Sequence, residues 1–465
     1  MIQYIFPSRI VAASEVNVDN LLKKQTLQIG LAERQTVTFH NGGFVILDFG
    51  KETCGGVRIL TAAAENVPVR IRFGESLSEA CSELGGEKNA TNDHSLRDLT
   101  VHLQNLSDMS FGQTGFRFVR LDFFGEVRLK CVAARSEIAV RRSVYTYEGS
   151  DARIKEIFET AKRTVDLCTT SGYIWDGIKR DRLVWIGDMA PEVLALTTMY
   201  GRLPCIERSL DFVKEQTPLP GWMNDYPMYS MWWIIILDIY LERANAHTYV
   251  EKQMSYLAGL LSQMDGCILE NGALAYPSYF VDWPTHDTPE ELAGVRAINI
   301  MALKSACKLL TAFGKDTALA EKMLAKLKKI EICAKEKKQV LALKYFAVGL
   351  SEEEKALLVE GGAEGMSTFM SYYILKAVAS FDKPKAIEMM KEYYGAMLDK
   401  GATTFWEDFN IEWTKNSGRI DAFTRAGEKD IHGDFGAFCY VGFRHSLCHG
   451  WSAGVIAFIK EENIG

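Results

Sequence analysis

The chain of 465 residues has no apolar run long enough to cross a bilayer. Its longest runs, such as residues 232–237, fall far short of the roughly 20 residues that a spanning helix needs. It also has no excess of basic residues, because 53 Lys and Arg face 60 Asp and Glu, which gives a net charge of −7. These absences predict no membrane span and no nucleic acid partner.

A signal peptide and a cysteine framework are missing too. Residues 1–7 lack the basic segment and extended apolar core of a signal peptide, so we expect a cytoplasmic protein, or a periplasmic or secreted one after removal of its signal peptide. None of the ten cysteines pairs at CxxC spacing. They indicate buried, reduced thiols rather than structural disulfides or zinc sites. We predict no cofactor and no metal.

Tryptophan is absent from the first part of the chain, which has a strand-like pattern to about Tyr147. Short runs rich in β-branched and aromatic residues alternate there with connections rich in Gly, Asn and Ser. The runs cover residues 44–49, 57–60, 69–73, 99–103 and 116–123. This pattern predicts an antiparallel β-sandwich domain over residues 1–147. Without a Trp, its role is better explained by packing or loop support than by carbohydrate binding.

From residue 148 the apolar positions follow the period of a helix. Thr288 to Glu291 and Ser351 to Glu354 have the pattern of capping boxes at helix starts. The helical stretches begin at residue 154 and continue at 189–200, 204–216, 228–243, 247–264, 288–312, 316–337, 338–350, 352–360, 364–380, 384–399 and 450–462. About a dozen helices predict six hairpins, and hence an (α/α)6 barrel over residues 148–465. The chain is therefore predicted to be multi-domain and mainly α.

Most of the nine tryptophans lie in connections between the predicted helices rather than within them. Loops of a rigid scaffold are where ligand contacts accumulate, and an indole face suits the apolar face of a sugar ring. The tryptophans in connections are Trp175, Trp185, Trp222, Trp283, Trp406, Trp413 and Trp451. For each one alone a core position is equally compatible with the sequence, but their clustering in loops favours a sugar site.

The stretch "DGIKRDRLVWIGD", residues 176–188, places three carboxylates and three cations among apolar residues. Charges in such surroundings are costly to bury unless they are paired. One interpretation is a structural ion-pair network, with Asp188 capping the next helix. The other is a cavity whose arginines and carboxylates bind hydroxyl groups while one carboxyl stays protonated.

A second stretch, "GATTFWEDF" at residues 401–409, places Glu407 and Asp408 beside aromatic residues directly after a helix. Two carboxyls that approach from separate loops are the minimum equipment for glycoside hydrolysis, because one protonates the leaving oxygen and the other activates water or attacks. A glycosidase is therefore the leading interpretation.

A third stretch, residues 443–451, contains His445 and His449 at a spacing of four. That spacing is compatible with a metal, but an HExxH pattern and an acidic third ligand are missing. Cys448 beside His449 lacks the strand-turn-helix elbow of a nucleophile. A hydrogen bond from His449 to a substrate hydroxyl beside Trp451, and a structural core histidine, remain the two interpretations.

These segments resemble a known family. "DGIKRDRLVWIGD", "GATTFWEDF" and "SLCHGWSAG" follow the order of the signature segments of bacterial α-L-rhamnosidases, glycoside hydrolase family 78. "LDFGKETCGGVRI" and "GQTGFRFVRL" resemble the β-domain that precedes the barrel in that family. The resemblance covers nearly the whole chain and implies an (α/α)6 catalytic barrel in a six-hairpin glycosidase.

The resemblance also implies roles for two carboxyls. The family's first motif is approximately Asp-x-x-x-Arg-Asp-Glu-Arg-Leu-Gly-Trp-x-Gly-Asp, with the Glu as general acid. This chain is one residue shorter there and has Asp181 at that position, and its side chain is one methylene shorter than Glu. The Glu of the family's Thr-Thr-x-Trp-Glu segment, the general base of an inverting reaction, corresponds to Glu407.

The favoured hypothesis is an inverting, exo-acting glycoside hydrolase that removes a terminal α-L-rhamnosyl or related residue from an oligosaccharide or glycoside. The alternatives are a catalytically silent carbohydrate-binding relative, a glycosidase for a different sugar, and a barrel that binds no sugar. Asp181 and Glu407 are the expected catalytic pair. The residues expected to bind the sugar are Asp176, Arg180, Arg182, Trp185, Asp188, Trp222, Trp406, His449 and Trp451.

Overall fold

A computed structural model describes residues 1–88, 96–170 and 172–465, in which an antiparallel sheet precedes a helical part. The strands are β1 (Ile2–Ile5), β2 (Arg9–Ala13), β3 (Val37–Phe39), β4 (Phe44–Ala64), β5 (Val67–Gly74), β6 (Asp98–Leu103), β7 (Ser107–Phe123) and β8 (Val127–Glu137). Their order is β1-β8-β4-β7-β5-β6, with β2 on β4 and β3 on β8.

The long strand β4 organises the sheet. It pairs with both β7 and β8 and contains the two predicted runs 44–49 and 57–60 in one continuous strand. Its register with β7 shifts between Asp48 and Thr53, in the part that joins these runs. Gly56 permits the close pairing, because a Cβ there would lie 2.2 Å from the carbonyl oxygen of Phe111. The alternating apolar residues fill a core in which Phe39 stacks on Phe123 at 4.4 Å.

The helical part follows a connection between Glu137 and Ala152. Its helices, numbered after the short helix α1 (Leu77–Cys81), are α2 (Ala152–Cys168), α3 (Met189–Tyr200), α4 (Pro204–Gln216), α5 (Pro227–Ala244), α6 (His247–Glu251), α7 (Met254–Cys267), α8 (Glu291–Ala312), α9 (Ala318–Leu327), α10 (Lys338–Val348), α11 (Glu352–Val359), α12 (Ser371–Ala379), α13 (Lys383–Asp399) and α14 (Val455–Glu461). None of the helices in the described ranges is long and apolar enough to span a membrane.

Six of these helices contact one another in a closed circuit: α3 packs on α5, α5 on α8, α8 on α10, α10 on α12, α12 on α14, and α14 on α3. Most side chains of α3, α5 and α8 are buried, as expected of helices surrounded by protein. Helices such as α2 and α4 bury one face only. An inner circuit and an outer layer of helices thus share one large hydrophobic core.

Four predicted helices differ clearly from the structure. The stretch 247–264 is divided into α6 and α7, the stretch 316–337 ends at Leu327, the stretch 364–380 is helical only from Ser371, and in the stretch 450–462 the α-helix begins only at Val455. The capping box predicted at Thr288 is wrong, because α8 begins at Glu291 and the Thr288 hydroxyl donates to the Thr285 carbonyl oxygen at 2.6 Å. At Ser351 the predicted capping box is confirmed: Glu354 N donates to Ser351 Oγ at 3.2 Å, and Ser351 N donates to Glu354 Oε2 at 3.0 Å.

Candidate active site

A cavity of about 160 Å³ lies where the connections of the helical part meet. It combines charged and aromatic side chains from five separate segments of the chain. Its lining consists of Asp176, Arg180, Asp181, Trp185, Asp188, Tyr226, Tyr229, Phe280, Trp283, Glu407, Cys439, Tyr440, Arg444, His449 and Trp451. Such a mixture of aromatic walls and a few polar groups is typical of a small-molecule site.

The segment 176–188 is a loop that closes on itself. Asp176 N donates to the Leu183 carbonyl oxygen at 3.2 Å, and Leu183 N donates to Asp176 Oδ1 at 2.8 Å. Between them, Asp181 and Arg182 both have φ of 52°, a left-handed conformation that non-glycine residues seldom adopt. This tight turn brings Asp181 to the cavity. Backbone strain of this kind accompanies functional sites in other proteins.

Arg180 connects two carboxyls of the cavity. Its Nη1 donates to Asp181 Oδ2 at 2.9 Å, its Nη2 donates to Glu407 Oε1, and its Nε donates to the Arg444 carbonyl oxygen at 3.0 Å. The guanidinium also lies 4.9 Å from the ring centroid of Tyr440. A planar cation with donors in a fixed fork can hold two carboxylates at a set spacing, which an ammonium group cannot do.

Glu407 is buried and held at both its backbone and its side chain. Ser446 N donates to Glu407 Oε2 at 3.0 Å, while Glu407 N donates to the Ser446 carbonyl oxygen at 2.9 Å. The Trp451 indole donates to the Glu407 carbonyl oxygen at 2.9 Å. Burial raises the pKa of Glu407, and the charge of Arg180 opposes that shift. The carboxylate is thus a stronger base than a free glutamate.

Asp176, Asp188 and His449 form a second polar group in the cavity. His449 Nε2 lies 3.8 Å from Asp176 Oδ2, 3.9 Å from Asp188 Oδ2 and 3.5 Å from Glu407 Oε1. Burial raises the pKa of both aspartates well above the usual range, with neighbouring carboxylates adding to it, and burial lowers the pKa of His449 well below its usual range. A neutral imidazole and protonated carboxyls can each donate to or accept from a hydroxyl group.

Eight of the eleven sequence-predicted residues line the cavity: Asp176, Arg180, Asp181, Trp185, Asp188, Glu407, His449 and Trp451. Three do not. Arg182 turns away, stacks on Trp175 at 5.7 Å and donates to the Gln113 carbonyl oxygen at 3.1 Å. Trp222 packs edge-on against Tyr276, and Trp406 is completely buried against Phe409.

The structure thus does not bring these three side chains into the cavity with the other eight. Trp406 and Glu407 are neighbours in sequence, and the backbone that points Glu407 into the cavity points Trp406 into the core. Arg182 belongs to the same left-handed turn as Asp181, but its side chain contacts Trp175 and Gln113 instead of the cavity.

Sequence reasoning missed most of the aromatic wall, which includes Tyr226, Tyr229, Phe280, Trp283 and Tyr440. Trp283 had a signal, because it belongs to the loop-biased tryptophans, and its indole donates to the Tyr440 hydroxyl at 2.7 Å. Tyr226 and Tyr229 stand at the start of α5, where aromatic residues are equally compatible with a core position.

Among the described residues, two groups of side chains each bring three potential metal-ligating atoms together. The first contains Glu75, Glu79 and His432, but the Lys179 ammonium lies 3.0 Å from Glu79 Oε1 and supplies the positive charge there. The second contains His286, Asp287 and Glu291 at the surface. His445 and His449 do not meet as a pair, since His445 Nε2 accepts from Asp408 N at 2.9 Å while His449 faces the cavity.

The whole fold is similar to that of solved α-L-rhamnosidases. A rhamnosidase from Klebsiella oxytoca with rhamnose bound aligns with a TM-score of 0.76 and 18% identity over 100% of this chain and 96% of its own. The GH78 family rhamnosidase of Bacillus sp. GL1 gives 0.71 and 19% over 95% of this chain, which spans 48% of the Bacillus protein. The enzyme of Streptomyces avermitilis, complexed with L-rhamnose, gives 0.67 and 14% over 90% of this chain and 42% of its own.

No protein-family model and no curated protein sequence matches the chain. The likeness therefore lies in three dimensions, where it extends from the first strand to the last helix. The resemblance inferred from the three signature segments is confirmed at this level: the chain has the fold of the α-L-rhamnosidases.

Proposed function

We propose that this chain is an inverting glycoside hydrolase that removes a terminal α-L-rhamnosyl or related residue. One observation carries the proposal: Asp181 and Glu407 face the same aromatic cavity from separate segments and share the guanidinium of Arg180. The relatives with rhamnose or L-rhamnose bound have the same fold and indicate the sugar class. A cavity of about 160 Å³ suits one sugar ring at the end of a chain.

In this proposal Glu407 is the general base. An inverting reaction needs a carboxylate that removes a proton from the attacking water on one face of the sugar while an acid protonates the leaving oxygen on the other. Burial makes Glu407 more basic, and the Ser446 N–H and Arg180 hold its two oxygens in fixed positions. A fixed orientation lowers the barrier because the water is already placed for attack.

Asp181 is the proposed general acid. Asp181 and Arg182 form a left-handed turn, and Asp181 lines the cavity from it. In this proposal the turn compensates for the methylene by which Asp is shorter than Glu. The remaining polar groups, Asp176, Asp188 and His449, are proposed to bind sugar hydroxyls, and Trp185 and Trp451 to contact the ring.

We further propose that the helical part is an (α/α)6 barrel over residues 148–465 and that residues 1–147 form a separate β-sandwich domain. The closed circuit of six inner helices supports the barrel. The carboxyls and aromatic residues of the cavity come from the connections between helices, as expected for a site at one end of such a barrel.

A catalytically silent carbohydrate-binding protein is the second candidate. It is favoured by the ion pair between Asp181 and Arg180 at 2.9 Å, because this contact occupies an oxygen of the carboxyl group that would have to reach the leaving group. In this case the cavity would bind the sugar without cleaving its linkage.

The test is turnover of a panel of aryl glycosides, beginning with p-nitrophenyl α-L-rhamnoside, by wild type, Glu407→Gln and Asp181→Asn. We expect Glu407→Gln to lower kcat by roughly 10²-fold to 10⁴-fold, the usual contribution of a positioned base. Asp181→Asn should cost less with p-nitrophenol as leaving group and more with an alkyl glycoside, since a poor leaving group needs the acid. Asp408→Asn is the matched control, because Asp408 adjoins Glu407 but does not line the cavity.

Proton NMR of the first product anomer gives the stereochemistry. Release of the inverted anomer, together with loss of turnover in Glu407→Gln but not in the control Asp408→Asn, supports the proposal. Release of the retained anomer, or full activity of Glu407→Gln, contradicts it. Sugar binding by calorimetry without release from any substrate identifies the silent relative.

A further inference from the structure

Behind the cavity, the sheet and the helical part meet at a buried cluster of charges. Glu75, directly after β5, is 1% exposed, and its backbone N donates to Glu79 Oε2 at 2.8 Å. Lys179, next to Arg180 in the loop 176–188, lies 3.0 Å from Glu79 Oε1 and 3.5 Å from Glu75 Oε2. The aromatic cavity does not include any of these three groups.

Glu75 binds the segment that holds the proposed base. Its Oε1 accepts from Ser446 Oγ at 3.0 Å, and its Oε2 accepts from Leu447 N at 2.6 Å. The same Ser446 donates its backbone N–H to Glu407 Oε2 at 3.0 Å and accepts from Glu407 N at 2.9 Å. The dipeptide Ser446-Leu447 is thus held on one side by a carboxylate of the β-part, the portion of the chain that contains the sheet and precedes α2. On its other side the dipeptide holds Glu407.

Lys179 fixes the beginning of that segment. Its ammonium donates to the His445 carbonyl oxygen at 2.7 Å and to the Phe443 carbonyl oxygen. Lys179 is also the residue before Arg180, which binds the other oxygen of Glu407. Each oxygen of the Glu407 carboxylate is therefore connected to the buried charges. Ser446, which binds one oxygen, is bound by Glu75, and Arg180, which binds the other, follows Lys179, the partner of Glu75 and Glu79.

We propose that Glu75 is a positioning residue for Glu407: it holds the backbone of Ser446 and Leu447 in the place from which the Ser446 N–H orients the base. This role rests on the proposed function, because it assumes that Glu407 activates water. It gives the β-part a role in the reaction, although none of the side chains that the structure describes there lines the cavity.

The neighbourhood of Glu75 explains which substitutions should be tolerated. Burial raises the pKa of Glu75 to about 7, while Lys179 opposes that shift. A neutral side chain of the same shape can therefore occupy the site. In Glu75→Gln the amide oxygen can accept from Leu447 N and the amide nitrogen can donate to the Ser446 hydroxyl, which serves as donor or acceptor. In Glu75→Ala both hydrogen bonds are lost.

The experiment compares kcat and KM for p-nitrophenyl α-L-rhamnoside in wild type, Glu75→Ala, Glu75→Gln and Asp48→Asn. Asp48 is the matched control, because it is a buried carboxylate of the β-part whose partner Arg117 reaches the helical part at Gly401, away from Ser446. We expect Glu75→Ala to lower kcat roughly 10-fold to 100-fold with KM within about threefold, as for a misplacement near 1 Å. Glu75→Gln should recover most of kcat, and Asp48→Asn should keep it.

Three results would overturn the positioning role. These are wild-type kcat in folded Glu75→Ala, an equal loss of kcat in Asp48→Asn, and a rise in KM alone. If Glu75→Ala does not fold, Ser446→Ala removes one of the two hydrogen bonds to Glu75, and an unchanged kcat in that variant also overturns the role. Wild type without turnover on any glycoside refutes the proposed function and this role together, whereas active wild type beside unaffected Glu75 variants refutes this role only.

Discussion

At the scale of single residues, the site is defined by how carboxyl groups are neutralised. Asp181 and Glu407 share the guanidinium of Arg180, so their charges are compensated where they enter the cavity. Burial raises the pKa of Asp176 and of Asp188 well above that of a free aspartate, and neighbouring carboxylates add to the shift. Carboxyl groups in different electrostatic surroundings thus lie side by side in one small volume.

Glu192, in the first turn of α3, is a further buried carboxyl group near Asp176 and Asp188. It is fully buried, and within the described ranges neither carboxyl oxygen has a hydrogen-bond partner. Burial, with the charges of Asp188 and Asp176 adding to it, raises the pKa of Glu192 well above the usual range. The folded state then keeps a proton that the unfolded chain releases above a pH of about 4.3, so the free energy of unfolding falls as the pH rises.

We predict that Glu192→Gln removes this pH dependence. Relative to wild type, the variant's free energy of unfolding should rise by up to about 1.4 kcal/mol per pH unit between about pH 5 and the folded-state pKa. Urea denaturation at pH 5, 6, 7 and 8 measures the difference. The exposed Glu353→Gln is the control and should show no such trend. A difference between Glu192→Gln and wild type that is constant over this range would contradict the prediction.

At the scale of elements, the helix starts reveal what local sequence controls. The capping box at Ser351 forms as its pattern predicts, because both hydrogen bonds join residues three apart and need no distant partner. The similar pattern at Thr288 fails, because a turn at residues 283–285 offers the Thr288 hydroxyl another acceptor and Glu291 is bound by His286 at 2.8 Å. A local sequence pattern therefore predicts a helix cap correctly where no other residue competes for the same hydrogen-bonding groups.

We predict that Ser351→Ala lowers the free energy of unfolding by about 1 kcal/mol, the usual cost of losing an N-cap side chain. Thr at this position keeps the hydroxyl and should restore nearly all of the stability. Turnover should be unchanged in both variants, because α11 contributes no side chain to the cavity. Equal stability of the Ala and Thr variants in urea denaturation would show that the cap does not stabilise α11.

At the scale of the whole molecule, buried ion pairs join the β-part to the helical part. Arg117 of β7 binds both oxygens of Asp48, at 2.9 and 3.0 Å, and donates to the Gly401 carbonyl oxygen at 3.1 Å. Glu75 and Lys179 form a second junction of the same kind. Such an ion pair stabilises the protein only while both partners are present. A buried charge that loses its partner lowers the free energy of unfolding by far more than the intact pair contributes.

We predict that Arg117→Met lowers the free energy of unfolding by about 3–5 kcal/mol, because it leaves Asp48 buried without its main partner. The double variant Arg117→Met with Asp48→Asn should recover part of that loss, since the unpaired charge is then absent. Urea denaturation of the two single variants and the double variant measures the coupling. Strictly additive losses would indicate that the two side chains do not stabilise the junction as a pair.

The sequence predicted those features of the site that depend on residues close together along the chain. It did not predict which way a single side chain points. Helices α3 and α4 were predicted with their observed bounds, because apolar periodicity is a local property. Trp406 and Trp451 carried the same signal, yet one is a core residue and the other lines the cavity. Phe280 and Tyr440 carried no signal at all, since an aromatic residue in a connection is the same in sequence whether it faces a ligand or the core.

By itself, the sequence determined the change from strands to helices, most helix starts, and the two carboxyl-bearing stretches with their resemblance to α-L-rhamnosidases, because periodicity and motifs are encoded in residues close together along the chain. Only the tertiary structure decided that Arg180 joins Asp181 to Glu407 and that Arg182 turns away. It alone decided that Glu75 of the β-part, more than 300 positions earlier, holds the segment behind the base. Those contacts depend on where distant segments meet in space, and the spacing of residues along the chain does not record that.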